Sequence, residues 1–154
     1  MSKDNRVLLH LATLGPLGHL RPGPGTWGSI AAAALAPLLF IPLPLWGRLA
    51  VLVFLFFIGS RASAVAEDRL QKKDPSQAII DEFCGQWLVF FLAADPGPAA
   101  LAAGLGLFRI MDIAKPWPIK ASEKWLPGGY GVMLDDVIAG AYALIAWQIL
   151  FYFL

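Results

Sequence analysis

The closing stretch of the chain, GVMLDDVIAGAYALIAWQILFYFL at residues 131–154, indicates the fold class. No charged residue occurs from position 137 onwards. At a rise of about 1.5 Å per residue, this segment makes an apolar helix of about 27 Å, close to the bilayer's hydrocarbon core of about 30 Å. Two adjacent aspartates, Asp135 and Asp136, stand directly before it. Anions favour a helix N-terminus, so the pair is either a cap or part of a polar site at the membrane surface.

The composition of the whole chain also indicates a membrane protein. Of its 154 residues, 58% are hydrophobic and 15% are charged, whereas soluble domains are nearer to about half apolar and about a quarter charged. The formal net charge of +1 gives no reason to expect a nucleic acid partner. The single cysteine, Cys84, excludes an internal disulfide and a two-cysteine metal site. We therefore predict one membrane-embedded domain over residues 1–154.

Five apolar segments are candidate spans, and they lie at residues 27–46, 49–66, 83–94, 97–108 and 137–154. The third and fourth are each about a dozen residues long, whereas a helix needs about 20 residues to cross a bilayer. They cross it only if they extend into the flanking charged residues, and otherwise they form a re-entrant hairpin around the Asp-Pro-Gly-Pro turn. The predicted fold is all-α, a polytopic membrane helical bundle with about four to five spans, some of them short or re-entrant.

The distribution of charge predicts the orientation of this bundle. With the N-terminus in the cytoplasm, eleven of the twelve lysines and arginines fall in cytoplasmic segments, and Arg48 alone falls in an outer turn. Among the acidic residues, only Asp95 falls outside. Basic residues concentrate on the cytoplasmic side of membrane proteins. We therefore expect the polar chemistry at the cytoplasmic face, and tryptophans near the span ends fit an interfacial belt.

Two of the four polar stretches outside the spans precede apolar helices, and each has a structural alternative. In RPGPGTWGS, Thr26 and Ser29 are either plain N-caps or part of a phosphate-binding helix N-terminus. In DEFCGQW, Asp81 and Glu82 open an apolar helix. They are either favoured there by the helix dipole or are functional carboxylates held at membrane depth.

The other two polar stretches contain further candidate site residues, namely two cations in one and several glycines in the other. In FRIMDIAKPWPIK, Arg109, Asp112 and Lys115 recur every three residues and lie on roughly one helical face. They form either a salt-bridge ladder or a carboxylate for metal beside two cations for phosphate. In GGYGVMLDD, glycines that allow close backbone approach precede Asp135 and Asp136.

Five carboxylates converge on the predicted cytoplasmic face: Asp81, Glu82, Asp112, Asp135 and Asp136. Together they repel one another unless cations neutralise them. Because no histidine or cysteine cluster accompanies them, the ligand type favours Mg²⁺, with Mn²⁺ as the alternative, over zinc. Carboxylate-held magnesium beside arginine and lysine is typical of phosphoryl chemistry. At a membrane interface the matching substrate is a phospholipid headgroup.

Four blocks carry a family resemblance. PGTWGS, DEFCGQW, FRIMDIAKPWPI and GGYGVMLDDVIAGAYA, in this order between about residues 24 and 143, resemble the signature of the phosphatidylglycerophosphatase A family. The resemblance implies a multi-pass enzyme of the bacterial inner membrane. It implies that the enzyme uses Mg²⁺ to remove the terminal phosphate of phosphatidylglycerophosphate and give phosphatidylglycerol. Cys84 occupies a position that the motif leaves free, so we expect it to pack and not to act as a nucleophile.

The resemblance also assigns site residues, motif by motif. It implies Thr26 and Ser29; Asp81, Glu82 and Gly85; Arg109, Asp112, Lys115 and Pro116; and Gly129, Gly131, Asp135, Asp136 and Gly140. The metal ligands are expected among Asp81, Glu82, Asp112, Asp135 and Asp136, and the same five with Arg109 and Lys115 form the predicted catalytic set. The predicted phosphate contacts are Thr26, Ser29, Arg109, Lys115, Gly129 and Gly131. The mechanistic hypothesis is in-line attack by a metal-activated water, with an aspartyl-phosphate as the rival.

Two other functions remain open. One is a phosphatase acting on another phospholipid headgroup, and the other is a non-enzymatic carrier of divalent cations. A carrier would place its carboxylates near the middle of spans, whereas here they stand at one end. The signature of CDP-alcohol phosphotransferases is absent, and no histidine follows His19, which excludes histidine-dependent lipid phosphatases. The expected partners are the lipid substrate and the membrane, with no nucleic acid and no obligatory protein partner.

Overall fold

Every regular element of the described chain is helical. The computed structural model describes residues 3–152, and within them it contains seven α-helices, one 3-10 turn and no strand. The helices are α1 Lys3–Thr13, α2 Pro24–Leu39, α3 Leu45–Leu70, α4 Ile80–Val89, α5 Pro98–Ala114, α6 Ile119–Ser122 and α7 Gly129–Tyr152, and the 3-10 turn is Leu17–His19. The all-α prediction is therefore confirmed. The ends of the predicted domain and of its last span, residues 1–2 and 153–154, lie outside the described residues.

Helices α3 and α7 have the length and composition to cross a bilayer. Only 33% of the apolar window of each helix is buried inside the protein, whereas the core helix of a soluble protein is mostly buried. Large apolar side chains point outwards instead: Phe54 is 66% exposed and Ile145 is 60% exposed. A helix that satisfies its own backbone and presents an apolar surface is suited to lipid. These two helices therefore support the predicted membrane bundle.

Two of the other predicted spans end earlier than expected, whereas the span predicted at residues 97–108 lies in α5, which extends to Ala114. Helix α2 ends at Leu39, and a turn connects it to α3, so residues 27–46 do not form one helix. Prolines in that turn prevent a continuous helix because they lack the backbone N–H and clash with the preceding turn. Helix α4 has 10 residues and ends at Val89, not at residue 94. At about 15 Å it is too short to cross a bilayer, which fits the expectation of short or re-entrant segments.

Helix α4 lies at the centre of the bundle. It packs against α2, α3, α5 and α7, and Ile80, Cys84 and Val89 are almost completely buried on it. The indole of Trp87 donates a hydrogen bond of 2.8 Å to the carbonyl oxygen of Ala32 on α2. In lipid, such contacts replace the hydrophobic driving force that holds helices together in water. Cys84 packs in this core, as expected for a residue without a catalytic role.

Helices α4 and α7 cross at two glycines. A Cβ added to Gly140 would lie 2.5 Å from the carbonyl oxygen of Gly85, and one added to Gly85 would lie 2.6 Å from the carbonyl oxygen of Asp136. The backbones approach this closely only because neither residue has a side chain. Asp81 precedes Gly85 by one helical turn, and Asp136 precedes Gly140 by one turn. The crossing therefore sets the two aspartates beside each other.

Arg48 connects the two turns at the opposite end of the bundle. Its guanidinium donates hydrogen bonds to the carbonyls of Phe91 at 2.7 Å, Ala93 at 2.7 Å and Leu43 at 2.9 Å, and also to Ile41. The first two carbonyls belong to the α4–α5 turn and the other two to the α2–α3 turn. Helix ends leave such carbonyls without partners, which is costly away from water. The one basic residue of the predicted outer turns thus has a structural role.

Candidate active site

Three carboxylates come together where α4 crosses α7. Asp81, Glu82 and Asp136, here called the carboxylate cluster, each place one oxygen within 4.8 Å of the others. Asp81 Oδ1, Glu82 Oε2 and Asp136 Oδ2 are buried without a hydrogen-bond partner in the described part of the chain. Buried anions without partners are costly, and three neighbouring anions repel one another. The cluster therefore requires protons or a cation, and its oxygen atoms are of the type that magnesium binds.

The position of the two aspartates on α7 excludes the capping alternative. The helix begins at Gly129, so Asp135 and Asp136 lie almost two turns inside it and not at its start. N-capping and the helix dipole act within the first turn. Both residues are 3% exposed. Another interaction must therefore account for their burial.

Two ion pairs flank the cluster. Arg109 Nη1 donates to Asp112 Oδ2 at 2.6 Å, and the ammonium of Lys115 is bonded to the carboxylate of Asp135. The five predicted carboxylates are thus divided: three form the cluster, and the other two each hold a cation beside it. The parts remain connected, because the backbone N–H of Asp136 donates to Asp135 Oδ1 at 3.0 Å.

Lys115 remains a cation in this setting. Burial by itself favours the neutral amine, but the hydrogen bond and charge of Asp135, with further negative charge from Asp136, outweigh burial and raise the pKa of Lys115 above its ordinary value. With every group ionised, the five predicted carboxylates carry three more negative charges than their two paired cations neutralise. That excess is located in the carboxylate cluster.

The start of α2 forms the third side of the site. A Cβ on Gly25 would overlap Glu82 Oε1 and lie 3.4 Å from Arg109 Nη1, so the missing side chain makes room for both groups. Ser29 donates to the carbonyl oxygen of Gly25 at 2.9 Å, and its Oγ accepts a hydrogen bond of 3.4 Å from Arg109. Glu82 thus occupies the helix N-terminus at which the sequence suggested a phosphate.

Three predicted phosphate-binding residues are not brought to the cluster. Thr26 is exposed, and its side chain makes no hydrogen bond to the cluster within residues 3–152. A Cβ on Gly129 would overlap the carbonyl oxygen of Ser60 on α3, and one on Gly131 would overlap that of Glu123. These two glycines permit close backbone packing around the start of α7.

Some residues at or near the site were missed by the sequence analysis. The sequence suggests only backbone N–H donors around Gly25, and not that the absence of a side chain at Gly25 makes room for Glu82 and Arg109. Gln86 is fully buried on α4, and neither its Nε2 nor its Oε1 has a partner among the described residues. A polar amide inside an apolar segment was the signal for Gln86, because such residues are costly in a membrane.

Known proteins resemble the chain over most of its length. The family model described as phosphatidylglycerophosphatase A matches residues 10–151. The phosphatidylglycerophosphatase A of Haemophilus influenzae is 35% identical over an alignment of 156 positions, which covers 92% of this chain and 93% of that protein. The one of Escherichia coli K12 is 34% identical over 134 residues, which cover 85% of this chain and 76% of that protein.

Another bacterial relative carries a different name. A Bacteroides thetaiotaomicron protein, provisionally named as a phosphatidylinositol-3-phosphatase, is 36% identical over 128 residues, which cover 79% of each chain. No solved structure gives a significant match. The family match and the identities together show that this chain belongs to the phosphatidylglycerophosphatase A family.

Proposed function

We propose that this protein removes the terminal phosphate of phosphatidylglycerophosphate to give phosphatidylglycerol at the cytoplasmic face of a bacterial inner membrane. The family and its named bacterial members support the activity. The two long apolar helices support the membrane location. The observation that carries the chemistry is the carboxylate cluster, with its unpartnered oxygens, beside Arg109 and Lys115.

The carboxylate cluster fits a magnesium ion, with Mn²⁺ as the alternative. Mg²⁺ prefers hard oxygen ligands and is often held by a few carboxylates together with substrate phosphate. Asp81, Glu82 and Asp136 each present a buried oxygen that no described group satisfies, and the cluster contains no histidine or cysteine. When bound, the ion would supply positive charge at the phosphate and lower the pKa of a bound water.

Arg109 is placed to receive phosphate oxygens. Its Nη1 is held by Asp112 and Ser29, while its Nε is buried and has no partner among the described residues. A guanidinium carries five N–H donors in a planar fork that matches phosphate geometry. Asp112 and Ser29 therefore orient the group and leave other donors for the substrate. Donors fixed in this way stabilise the negative charge that grows on the phosphate oxygens during transfer.

Lys115 supplies a second fixed positive charge, held in place by Asp135. In the proposed reaction a water oxygen forms a bond to phosphorus, and the bond from phosphorus to the terminal glycerol oxygen breaks. The leaving oxygen takes up a proton. In the rival pathway a carboxylate of Asp81 or Asp112 attacks first. Acid quenching of a single turnover with terminal ³²P-labelled substrate separates the two, because a hydroxylamine-sensitive label on the protein would favour the rival.

The cytoplasmic orientation is supported by the distance along α7. Gln148 lines a cavity together with Asp95, and it follows Asp136 by twelve residues, which is about 18 Å of helix. Asp95, the one acidic residue predicted outside, thus lies towards the opposite end of the bundle from the carboxylate cluster. Most basic residues belong to the segments at the cluster's end, as the positive-inside rule requires for a cytoplasmic face.

Phosphate release from phosphatidylglycerophosphate by the purified protein tests this function. The assay compares Asp81→Asn with the matched variant Asp95→Asn, since Asp95 is exposed and lies in the α4–α5 turn. With Mg²⁺ present, we expect Asp81→Asn to lose about 100-fold in rate, as when one group that stabilises the transition state is removed. Asp95→Asn should stay within about twofold. Absence of phosphate release by the unaltered protein, or full activity in Asp81→Asn, would contradict the proposal.

A second candidate is hydrolysis of a monoester on another phospholipid headgroup. The Bacteroides relative favours it, because its name refers to a phosphoinositide. The same assay with phosphatidylinositol 3-phosphate in place of phosphatidylglycerophosphate decides between them by the ratio of the two kcat/KM values. A carrier is not favoured, because the cluster lies towards one end of α7 and not at its middle.

A further inference from the structure

The connection between α5 and α7 lines an open, basic and aromatic cavity next to the site. It has a volume of about 550 Å³ and is lined by Lys115, Trp117, Lys120, Ala121, Lys124 and Trp125. We call it the lysine cavity. Lys115 belongs both to this cavity and to the site, because its ammonium is bonded to Asp135. A ligand in the cavity would therefore lie beside the phosphate-binding groups.

The free positive charge of the cavity belongs to Lys120 and Lys124. Both are exposed, and neither makes a hydrogen bond or ion pair within residues 3–152. They stand one helical turn apart, and the turn continues past α6 because Lys124 N–H donates to the carbonyl oxygen of Ala121 at 3.1 Å. Both side chains line the same cavity, so both ammonium groups are able to approach one anion.

Acidic neighbours do not neutralise these two lysines. Asp135 forms an ion pair with Lys115. Glu123 pairs at 3.3 Å with Lys73, which belongs to the α3–α4 connection. Lys120 and Lys124 therefore leave two uncompensated positive charges in the cavity. Such a pair suits an anion with a single charge, which a lysine ammonium binds as a point charge.

Two tryptophans place the cavity at the depth of lipid headgroups. Trp117 is 82% exposed and Trp125 is 58% exposed, although both are large and amphipathic. Indoles with an apolar body and a polar N–H concentrate at the membrane–water interface. The lysine cavity, which these two side chains border, therefore faces the headgroup layer.

We propose that the lysine cavity binds the phosphodiester of the phospholipid substrate, the phosphate that is not cleaved. This inference rests on the proposed function and adds the basis of headgroup selection. The substrate carries two phosphates separated by one glycerol, and the structure offers two adjoining sites joined by Lys115. The terminal monoester goes to Arg109 and the carboxylate cluster, and the singly charged diester goes to Lys120 and Lys124. A phospholipid with only a terminal monoester leaves the cavity unfilled and binds more weakly.

Anionic lipids of the surrounding leaflet are the other source of a phosphodiester. A general attraction of the leaflet would depend on the net charge near the membrane and not on these two positions. A second pair of basic residues provides the comparison. Arg69 and Lys72, at the end of α3 and directly after it, are exposed and do not line the lysine cavity.

Steady-state kinetics in neutral detergent micelles test the proposal, with phosphatidylglycerophosphate as the sole anionic lipid. Lys120→Gln/Lys124→Gln is compared with Arg69→Gln/Lys72→Gln, which removes the same charge. We expect the first variant to raise KM about tenfold, as the loss of two partly exposed charge contacts implies. Its kcat should stay within about twofold, and the second variant should leave both parameters unchanged. An unchanged KM in the first variant, or an equal rise in both, overturns the proposal.

Binding of phosphatidylglycerol provides a readout that does not depend on catalysis. This lipid keeps the phosphodiester and lacks the monoester, and its retention by the protein is measured by native mass spectrometry from the same micelles. We expect retention by the unaltered protein and by Arg69→Gln/Lys72→Gln, and loss of it in Lys120→Gln/Lys124→Gln. Should the protein release no phosphate, the proposed function fails, while this pattern of retention still supports the cavity. Equal retention by all three proteins contradicts the cavity even where phosphate release is normal.

Discussion

Replacement of Gly140 by alanine is expected to separate α4 from α7 and disturb the carboxylate cluster. The new Cβ would lie 2.5 Å from the carbonyl oxygen of Gly85, whereas ordinary contacts begin at 3.4 Å. The helices must therefore move apart by about 0.9 Å, because the atom in the way is backbone and cannot rotate aside. Asp136 lies one turn from Gly140 on the same helix, so the displacement changes its distance to Asp81 and Glu82.

The expected loss is large in activity and moderate in stability. A misplacement of about 1 Å at a catalytic group can lower a rate about 100-fold, and overpacking typically costs about 1–3 kcal/mol. We expect kcat/KM for phosphate release to fall about 100-fold while the purified variant remains monodisperse in detergent. Gly106→Ala is the matched control on α5, because a Cβ there would meet nothing within 4 Å. It should keep its activity within about twofold.

Two results would refute this reasoning. Full activity in Gly140→Ala would show that the close approach of α4 and α7 does not set the geometry of the cluster. An equal loss in Gly106→Ala would show that the effect comes from any added methyl group on a helix of this bundle.

The remaining predictions concern a cation of the site, the opposite end of the bundle and the membrane topology. Arg109→Lys should lower kcat/KM for phosphate release by at least about tenfold, since a lysine cannot reproduce the planar fork of donors, and unchanged kinetics would contradict its role. Arg48→Met should lower the thermal unfolding temperature in detergent, because several turn carbonyls lose their donor, at about 1–3 kcal/mol for each buried group left unpaired. An unaltered unfolding temperature would contradict the stabilising role of Arg48. A membrane-impermeant thiol reagent should label Asp95→Cys from the periplasmic side of whole cells and Lys72→Cys only after the inner membrane is opened, while Cys84 is buried and stays unlabelled. Labelling of both cysteine variants from the same side of the membrane would contradict the proposed topology.

The sequence predicts the helical class and the long apolar helices well, because apolar length and composition determine them directly. It does not predict where a membrane helix begins. Hydropathy marks the lipid-facing part of α7 from residue 137, whereas the backbone is helical from Gly129. The polar residues between these points are compatible with a helix that is covered by α3, α4 and α6. This difference of two turns changes Asp135 and Asp136 from cap residues into interior ones.

The sequence also identifies the charged groups of the site and, from the spacing of Arg109 and Asp112, one of their two ion pairs, but it does not predict that Lys115 pairs with Asp135. Five carboxylates and two cations were expected together, yet Asp112 and Asp135 are bonded to Arg109 and Lys115 while the other three form the cluster. Which carboxylate faces which neighbour depends on the rotation and crossing of helices. The spacing of residues along one helix predicts only which side of that helix they occupy, and not which residues of other helices they contact. The contacts that fix the crossing are made by Gly85 and Gly140. The family resemblance implies both glycines, but their packing role is visible only once the two backbones are seen together.

Divalent cation binding to the purified protein tests the central claim most directly. Titration with Mn²⁺ in detergent, followed by electron paramagnetic resonance and without any lipid substrate, compares the unaltered protein with Asp136→Asn and Asp95→Asn. The carboxylate cluster predicts that the unaltered protein and Asp95→Asn bind with the same affinity and that Asp136→Asn binds at least about tenfold more weakly. Equal binding by all three proteins, or no specific binding by the unaltered one, would contradict a metal site built from Asp81, Glu82 and Asp136.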